Sequence, residues 1–372
     1  MNVPLLDLKE QNQTLRPKIE AAIGRVLDTN GFILGAEVAD LEKELAEYCS
    51  TKYAIGCASG SDALLLAMMA LDVVAGDEVI TTPYSFFATV SAITRLGAIP
   101  VFVDIDPQTY NLDVEQVEAK ITDITKAIQP VHLFGQCADM KALRDVAAKH
   151  SIPLVEDAAQ AIGAEEDGVR AGAMSEIGCF SFYPSKNLGG MGDGGFMTTN
   201  DDELARRLLA LRVHGSEERY YHKWVGLNSR LDGFQGAVLR VKLPYLDEWS
   251  NRRKANADNY QKLFTDAGLS EQIGLPFERD NVRHIYNQFV IRVPNRRDEL
   301  RAFLSEQGIG TDIYYPMSLH LQECFAYLGH KKGDFPQSER ASRETLALPI
   351  FPELNPEQQE YVVENIAKFF SI

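Results

Sequence analysis

Cysteine is sparse and unpaired in this chain. Cys49, Cys57, Cys137, Cys179 and Cys324 are scattered, odd in number, and never spaced as C-x-x-C. Free buried thiols in a reducing compartment are therefore expected, rather than a disulfide framework. Cys and His show no metal-ligand spacing, so no metal is expected. Positive charge is also in short supply: 37 Lys and Arg stand against 53 Asp and Glu, a formal net charge of −16. That balance argues against a nucleic-acid surface and against anionic membranes, although a local basic pocket could still receive an anionic substrate. No apolar run is long enough to span a bilayer. The opening Met1-Asn2-Val3-Pro4-Leu5-Leu6-Asp7 has no basic region followed by an apolar one, so no signal peptide is expected and a cytoplasmic location is. Repeats, low-complexity stretches and long linkers are absent, as are G-x-G-x-x-G and P-loop patterns. The histidines, among them His132, His222, His284 and His320, form no nucleophile–base pattern, so a Ser/His hydrolase finds no support.

What remains is the composition of a soluble globular protein, 372 residues with 45% hydrophobic and 24% charged, enough for one large domain and a smaller one. Apolar, β-prone segments read as strands over Tyr53–Ala58, Glu78–Thr82, Pro100–Val103, Ala127–Leu133, Pro153–Glu156, Gly178–Phe182 and Gly195–Thr199. Helical periods lie between several of them, at Ala63–Leu71, Val114–Ile121 and Met140–His150. Such alternation predicts an α/β fold, a mostly parallel sheet covered on both faces. Leu204–Val213 and the stretch from Leu231 to about Phe264 read as helices. Beyond residue 264 the texture becomes α+β, with strands predicted at His284–Arg292 and Thr311–Tyr315 and helices at Arg297–Gln307, Ser338–Leu346 and Pro356–Phe370. The division expected is a large domain over 1–264 and a small one over 265–372, with the N-terminal segment packing on the small one.

Two strand ends carry the chemistry. Val155-Glu156-Asp157 ends an apolar strand in a carboxylate, and Phe180-Ser181-Phe182-Tyr183-Pro184-Ser185-Lys186 follows a strand with a lysine, 29 positions later. Parallel sheets place their ligands at such ends. Pyridoxal phosphate (PLP) chemistry requires this pair: a lysine that forms a Schiff base, and a carboxylate that keeps the pyridine nitrogen protonated. Alone, a lysine is a solvated charge and an aspartate a loop cap; together they point to the cofactor. Ser59-Gly60-Ser61-Asp62 opens a helix, where free N–H groups can hold a phosphate or a side chain can simply cap. Phe86, after the strand at Glu78–Thr82, could stack on a planar cofactor or belong to the core. Gln160 lies one turn beyond Asp157, and Gly192-Asp193-Gly194-Gly195 reads as a turn. Asn228 and Arg230, entering a helix, suit an anionic ligand or a solvated loop.

These motifs together closely resemble the PLP-dependent nucleotide-sugar aminotransferases of the DegT/StrS group. The resemblance runs from Pro4-Leu5-Leu6-Asp7-Leu8 and Gly31-Phe32-Ile33-Leu34-Gly35 through SGSDAL, EDAAQ, SFYPSKNLGGMGDGG, NSRLD and YYP with LHLQ to Tyr361-Val362-Val363. It implies an aspartate-aminotransferase-like large domain (fold type I) with a mostly parallel seven-stranded sheet. It implies Lys186 as the Schiff-base lysine, Asp157 as its pyridinium partner and Gln160 beside the cofactor. Phosphate contacts fall on Gly60, Ser61 and Asp62, largely through backbone, and on Ser181; the stacking ring falls on Phe86. Members are homodimers that borrow an asparagine from the partner subunit, here Asn228. Substrate contacts fall on Arg230, Tyr183, Tyr314 and Tyr315. One branch has histidine for the lysine and dehydrates sugars, and Lys186 argues against it. The function implied is amination of a keto sugar on a nucleotide diphosphate, with glutamate as donor. The overall pattern, including VHLFGQ (131–136) and the RYYH loop (219–222), most resembles members that act at C3 of the hexose, with C4 as the alternative. A cyclitol aminotransferase, a sugar dehydratase and a non-catalytic regulator on the same scaffold are the alternatives.

Overall fold

The computed structural model describes residues 1–269 and 271–371. Its large sheet is built from β1 (Tyr53–Cys57), β2 (Glu78–Thr81), β3 (Ile99–Phe102), β4 (Thr125–Ile128), β5 (Val155–Asp157), β6 (Ile177–Ser181) and β7 (Gly195–Thr199). The strand order is β1-β7-β6-β5-β4-β2-β3, with β4 and β5 joined by the parallel bridges Ile128↔Leu154 and Val131↔Asp157. β7 alone runs antiparallel, to both β1 and β6. The sheet is thus the seven-stranded, mostly parallel one expected. Its central strands are buried on both faces, which is why Val79-Ile80-Thr81 and Phe196-Met197-Thr198 show no polar alternation.

Helices cover both faces. α3 (Gly60–Ala70), α4 (Ala88–Thr94) and α6 (Asp202–Leu211) close one core around Leu66, Ile93 and Leu208. α2 (Ala36–Cys49), α5 (Met140–His150) and α7 (Gly233–Lys242) close the other around Leu41, Leu143 and Leu239. α1 (Lys9–Thr29) lies against α7 through Leu15, Ile19 and Val238. α8 (Leu246–Asp266) then leaves the large sheet: Leu246 sits in the second core, while Ala257, Tyr260 and Phe264 enter a third. That core is completed by the antiparallel pair β8 (Phe289–Arg292) and β9 (Thr345–Leu348), with α9 (Arg297–Glu306) and α11 (Pro356–Ser371). Val3 belongs to it as well, bridged in parallel to Ile309.

Several sequence expectations need correction. Val114–Ile121 forms two 3-10 turns instead of an α-helix, for only Val117 in it is fully buried and so short a segment gains too little to nucleate. The strand expected to reach Leu133 ends at Ile128, just ahead of Pro130, which has no N–H to give. Thr311–Tyr315 makes only the bridge Asp312↔Ala347 and then crosses towards the large sheet. The helix expected over Ser338–Leu346 runs as α10 (Pro336–Glu344), and Thr345 begins β9 because β8 offers it a partner. Residues 284–288 are not strand; they bridge the two halves of the molecule.

Candidate active site

The carboxyl ends of β1, β2, β4, β5 and β6 converge on a cleft of about 550 Å³. Asp157 ends β5 on its floor, buried, and its neighbour Glu156 points to the opposite face, where it accepts from Gly172, Met174 and Ser175. The alternation of a strand thus gives one carboxylate to the cleft and the other to the fold. Asp157 Oδ2 accepts from Thr89 Oγ1 at 2.7 Å, and Oδ1 accepts from the Ala159 N–H at 3.3 Å. Burial pushes the carboxyl above its ordinary pKa, opposed by the Thr89 and Ala159 hydrogen bonds and by the charge of Lys186.

Lys186 enters from a turn fixed on several sides. Its N–H donates to the Tyr183 carbonyl at 2.9 Å, and Gly190 N–H returns to Phe182 at 2.7 Å. From α7, Lys242 Nζ donates to the Gly189 carbonyl at 2.8 Å, and Gln235 Oε1 accepts from Met191 N–H at 2.8 Å. Asn187, next to Lys186, accepts from Asn287 at 2.8 Å, so the crossing segment 284–288 holds the turn too. Among the described residues none is hydrogen-bonded to Lys186 Nζ. Burial lowers its pKa to about 8, partly offset by Asp157. A free amine near neutral pH is a nucleophile. Reductive amination of the apoprotein by a small aldehyde is expected to label Lys186 first, about tenfold faster per pH unit until a plateau above about pH 8. Peptide mass mapping checks this; labelling spread over surface lysines would contradict it.

Also lining the cleft, Ser59 Oγ caps α3 by accepting from Asp62 N–H at 3.1 Å. The cap expected of Ser or Asp is thus Ser59, and the Gly60 and Ser61 amides, at the first turn, have no intrahelical partner. A Cβ at Gly60 would stand 2.7 Å from Ser181 Cβ, and one at Gly195 2.5 Å from the Ser59 carbonyl carbon. Only glycine lets the helix start approach Ser181 this closely, and the result is a small cradle of N–H and hydroxyl groups. Phe86 lies across the cleft, 56% exposed, its ring 6.1 Å from that of Tyr315. An exposed phenyl facing a cleft suits a flat partner. Gln160 is buried; its Oε1 accepts from Phe134 N–H at 2.7 Å and its Nε2 donates to Tyr315 Oη at 3.0 Å, leaving one N–H free.

The structure therefore brings together Lys186, Asp157, Gly60, Ser61, Ser181, Phe86, Gln160, Tyr183, Tyr314 and Tyr315 around one cleft. It does not bring in Asp62, Asn228 or Arg230 from the same chain: Asp62 is present through its capped amide, Asn228 is exposed and Arg230 is half-buried in the loop ahead of α7. Sequence reasoning had no role for Ser85, Thr89, Asp193 and Gln288, which also line the cleft. Ser85 lies in the turn after β2 and Thr89 in the first turn of α4, four positions on, and nothing in the sequence pattern marks that their hydroxyls meet.

A cradle for a phosphate, a face for a ring, a carboxylate and an unpartnered amine fit PLP. The sequence profile of the DegT/DnrJ/EryC1/StrS aminotransferase family matches residues 13–367. The chain belongs to this family. It is 52% identical to a pleiotropic regulatory protein of Geobacillus stearothermophilus, over 100% of this chain and 99% of that one. It is 45% identical to the dTDP-3-amino-3,4,6-trideoxy-α-D-glucose transaminase of Streptomyces venezuelae, over 99% of this chain and 96% of that one. Among solved structures it resembles NtdA of Bacillus subtilis with bound cofactor PMP, with a TM-score of 0.93, 31% identity, and coverage of 100% of this chain and 86% of that one. Among the described residues no helix is long and apolar enough to cross a membrane.

Proposed function

We propose that this family aminotransferase uses PLP to convert the C3 ketone of a hexose carried on a nucleotide diphosphate into an amine, taking the nitrogen from glutamate. The observation that carries the chemistry is the unpartnered Lys186 amine in the same cleft as the buried Asp157 carboxylate. The Gly60 and Ser61 amides and the Ser181 hydroxyl would hold the cofactor phosphate, Phe86 its ring face, and Asp157 its ring nitrogen. Bound PLP supplies an electron sink for the pair left behind when a carbon beside nitrogen loses its proton. Lys186 would move the proton: as a free amine it would take it from the carbon on one side of that nitrogen and, as an ammonium, deliver it to the cofactor carbon on the other side. Asp157, ionised, keeps a proton on the ring nitrogen, which makes the sink effective. Gln160 offers its remaining N–H, and Tyr183, Tyr314 and Tyr315, which also line the cleft, would contact the sugar.

The charge of the cleft supports a homodimer with shared sites. In a single chain Asp157 and Asp193 outnumber the one cation, Lys186, among the lining residues. A diphosphate and a dicarboxylic donor need more positive charge than that. Loop 214–230 carries Arg219, Lys223, Asn228 and Arg230 and exposes Tyr220 (78%), Tyr221 (70%) and Val225 (90%). A second copy of the loop, with its Asn228 and Arg230, would complete the site, the arginine fork pairing with a diphosphate or a sugar carboxylate.

The C3 assignment rests on VHLFGQ, on the RYYH loop and on the name of the S. venezuelae relative, whose product carries its amine at C3. A panel of 3-keto and 4-keto nucleotide sugars tests it by product mass, with amination expected for the 3-keto members; turnover of 4-keto sugars alone would overturn the regiochemistry. The name of the G. stearothermophilus relative favours a second reading, a regulator. An intact lysine and carboxylate in one cleft weigh against a protein without catalysis, and failure to bind PLP would support it.

A further inference from the structure

Asp157 does not stand alone in the cleft floor. Thr89 Oγ1 lies 2.7 Å from its Oδ2, and Ser85 Oγ lies 2.8 Å from Thr89 Oγ1, all three side chains buried. An ionised carboxylate only accepts, so the single Thr89 proton points to Asp157. Thr89 must then accept from Ser85, and the direction of the chain is set. The helix turn that carries Thr89 is itself held, since Gln129 Nε2 donates to the Thr89 carbonyl at 2.9 Å.

We propose that Thr89, backed by Ser85, is a positioning residue that keeps Asp157 ionised and leaves Oδ1 as the freer acceptor for the cofactor ring nitrogen. This rests on the reading that PLP binds in this cleft. The physical need is plain: a buried carboxylate tends to take up a proton, and a protonated Asp157 could not hold a protonated ring nitrogen. Burial does raise the Asp157 pKa, and the Thr89 hydrogen bond is the first influence opposing it. The other titratable groups facing Asp157 are Lys186 after β6, His132 after β4, Cys179 on β6 and Tyr315 at the end of the 311–315 stretch. Burial pushes the Cys179 thiol and the Tyr315 phenol up, so both stay protonated near neutral pH. Beside Lys186, which acts through charge, Thr89 is the group that acts through a short, directed bond.

The test is PLP affinity of the apoprotein as a function of pH, followed by absorbance or intrinsic fluorescence from the acid side through neutrality. Wild type is expected to lose affinity on the acid side as Asp157 takes its proton. T89V should move that acid limb upward by about one pH unit, roughly tenfold weaker binding at a pH on the limb, as for losing a hydrogen bond to a charged group. T89S keeps the donor and should restore the wild-type limb. S85A should shift it the same way by less. A merely structural Thr89 would lower the melting temperature, or weaken binding equally at every pH, without moving the limb; that result, or a T89V limb that coincides with wild type, overturns the relay. If T89V does not fold, T89A is judged by the same criterion. A wild-type protein that binds no PLP overturns the proposed function and the relay with it, whereas PLP-binding wild type with an unmoved T89V overturns the relay alone.

Discussion

K186A is expected to lose turnover by about 10⁴-fold or more, because in the proposed function one side chain would act as nucleophile towards the cofactor aldehyde and as the base and acid that move the proton. The loss should be in kcat. The variant should fold: Lys186 Nζ holds no other described residue by a hydrogen bond, and its turn is fixed by backbone bonds, by Lys242, Gln235 and Asn287. Removing a half-buried amine whose pKa is already pushed down to about 8 relieves a desolvation cost, so the melting temperature of the apoprotein should not fall. K186R keeps a charge but cannot become a free amine near neutral pH, and should be as inactive as K186A. Steady-state rates and a thermal melt on the same samples check both halves. Substantial residual turnover in K186A would mean that the lysine is not the proton carrier.

D157N is expected to lower kcat by about 10³-fold, the order seen when one preorganised electrostatic contact to the reacting system is removed. Asparagine keeps the shape and can still accept from Thr89, so the variant isolates charge. Its effect on stability should have the opposite sign. The folded pKa of Asp157 is raised, so the folded protein binds that proton more tightly than the unfolded chain does. Stability contributed by the protonated form is therefore lost as pH rises through the folded pKa, and at neutral pH the ionised side chain costs the apoprotein stability. A neutral asparagine avoids that cost, and the D157N apoprotein should melt at or above the wild-type temperature. Lower activity with unchanged or higher stability is the signature of a group kept for function; a D157N protein that is both less stable and fully active would show that Asp157 is structural.

Much of this site was legible because it depends on strand ends. Asp157 and Lys186 close apolar, β-prone segments, and a parallel sheet sends such ends to one edge; the pair needed no tertiary information beyond that. Gly60 and Ser61 were legible as a helix start, although sequence could not say that Ser59 and not Asp62 supplies the cap, since both are good cap residues. What the sequence hid depends on contacts between distant segments. Thr89 reads as one more β-branched residue until the first turn of α4 is packed against β5, 68 positions later. Gln288 and Asn287 lie in a stretch whose pattern is strand-like, yet those residues bridge the large sheet and the third core because the antiparallel partner, β9, ends at Leu348, opposite Phe289, and leaves them unpaired. Thr311–Tyr315 failed as a strand for a related reason: it touches β9 through one bridge and then turns Tyr314 and Tyr315 to the cleft. Asn228 and Arg230 are absent from the lining because, in the proposed dimer, they would serve the neighbouring site.

The central claim is that Lys186 and Asp157 run a PLP-dependent amino transfer, and the most direct measurement is the visible spectrum of the protein after incubation with PLP, before and after glutamate is added without any sugar. The expected result is a yellow protein whose visible band disappears on adding glutamate, returns on adding the keto sugar, and never forms in K186A. A protein that stays colourless with PLP, or a yellow band in wild type that K186A retains, would contradict it.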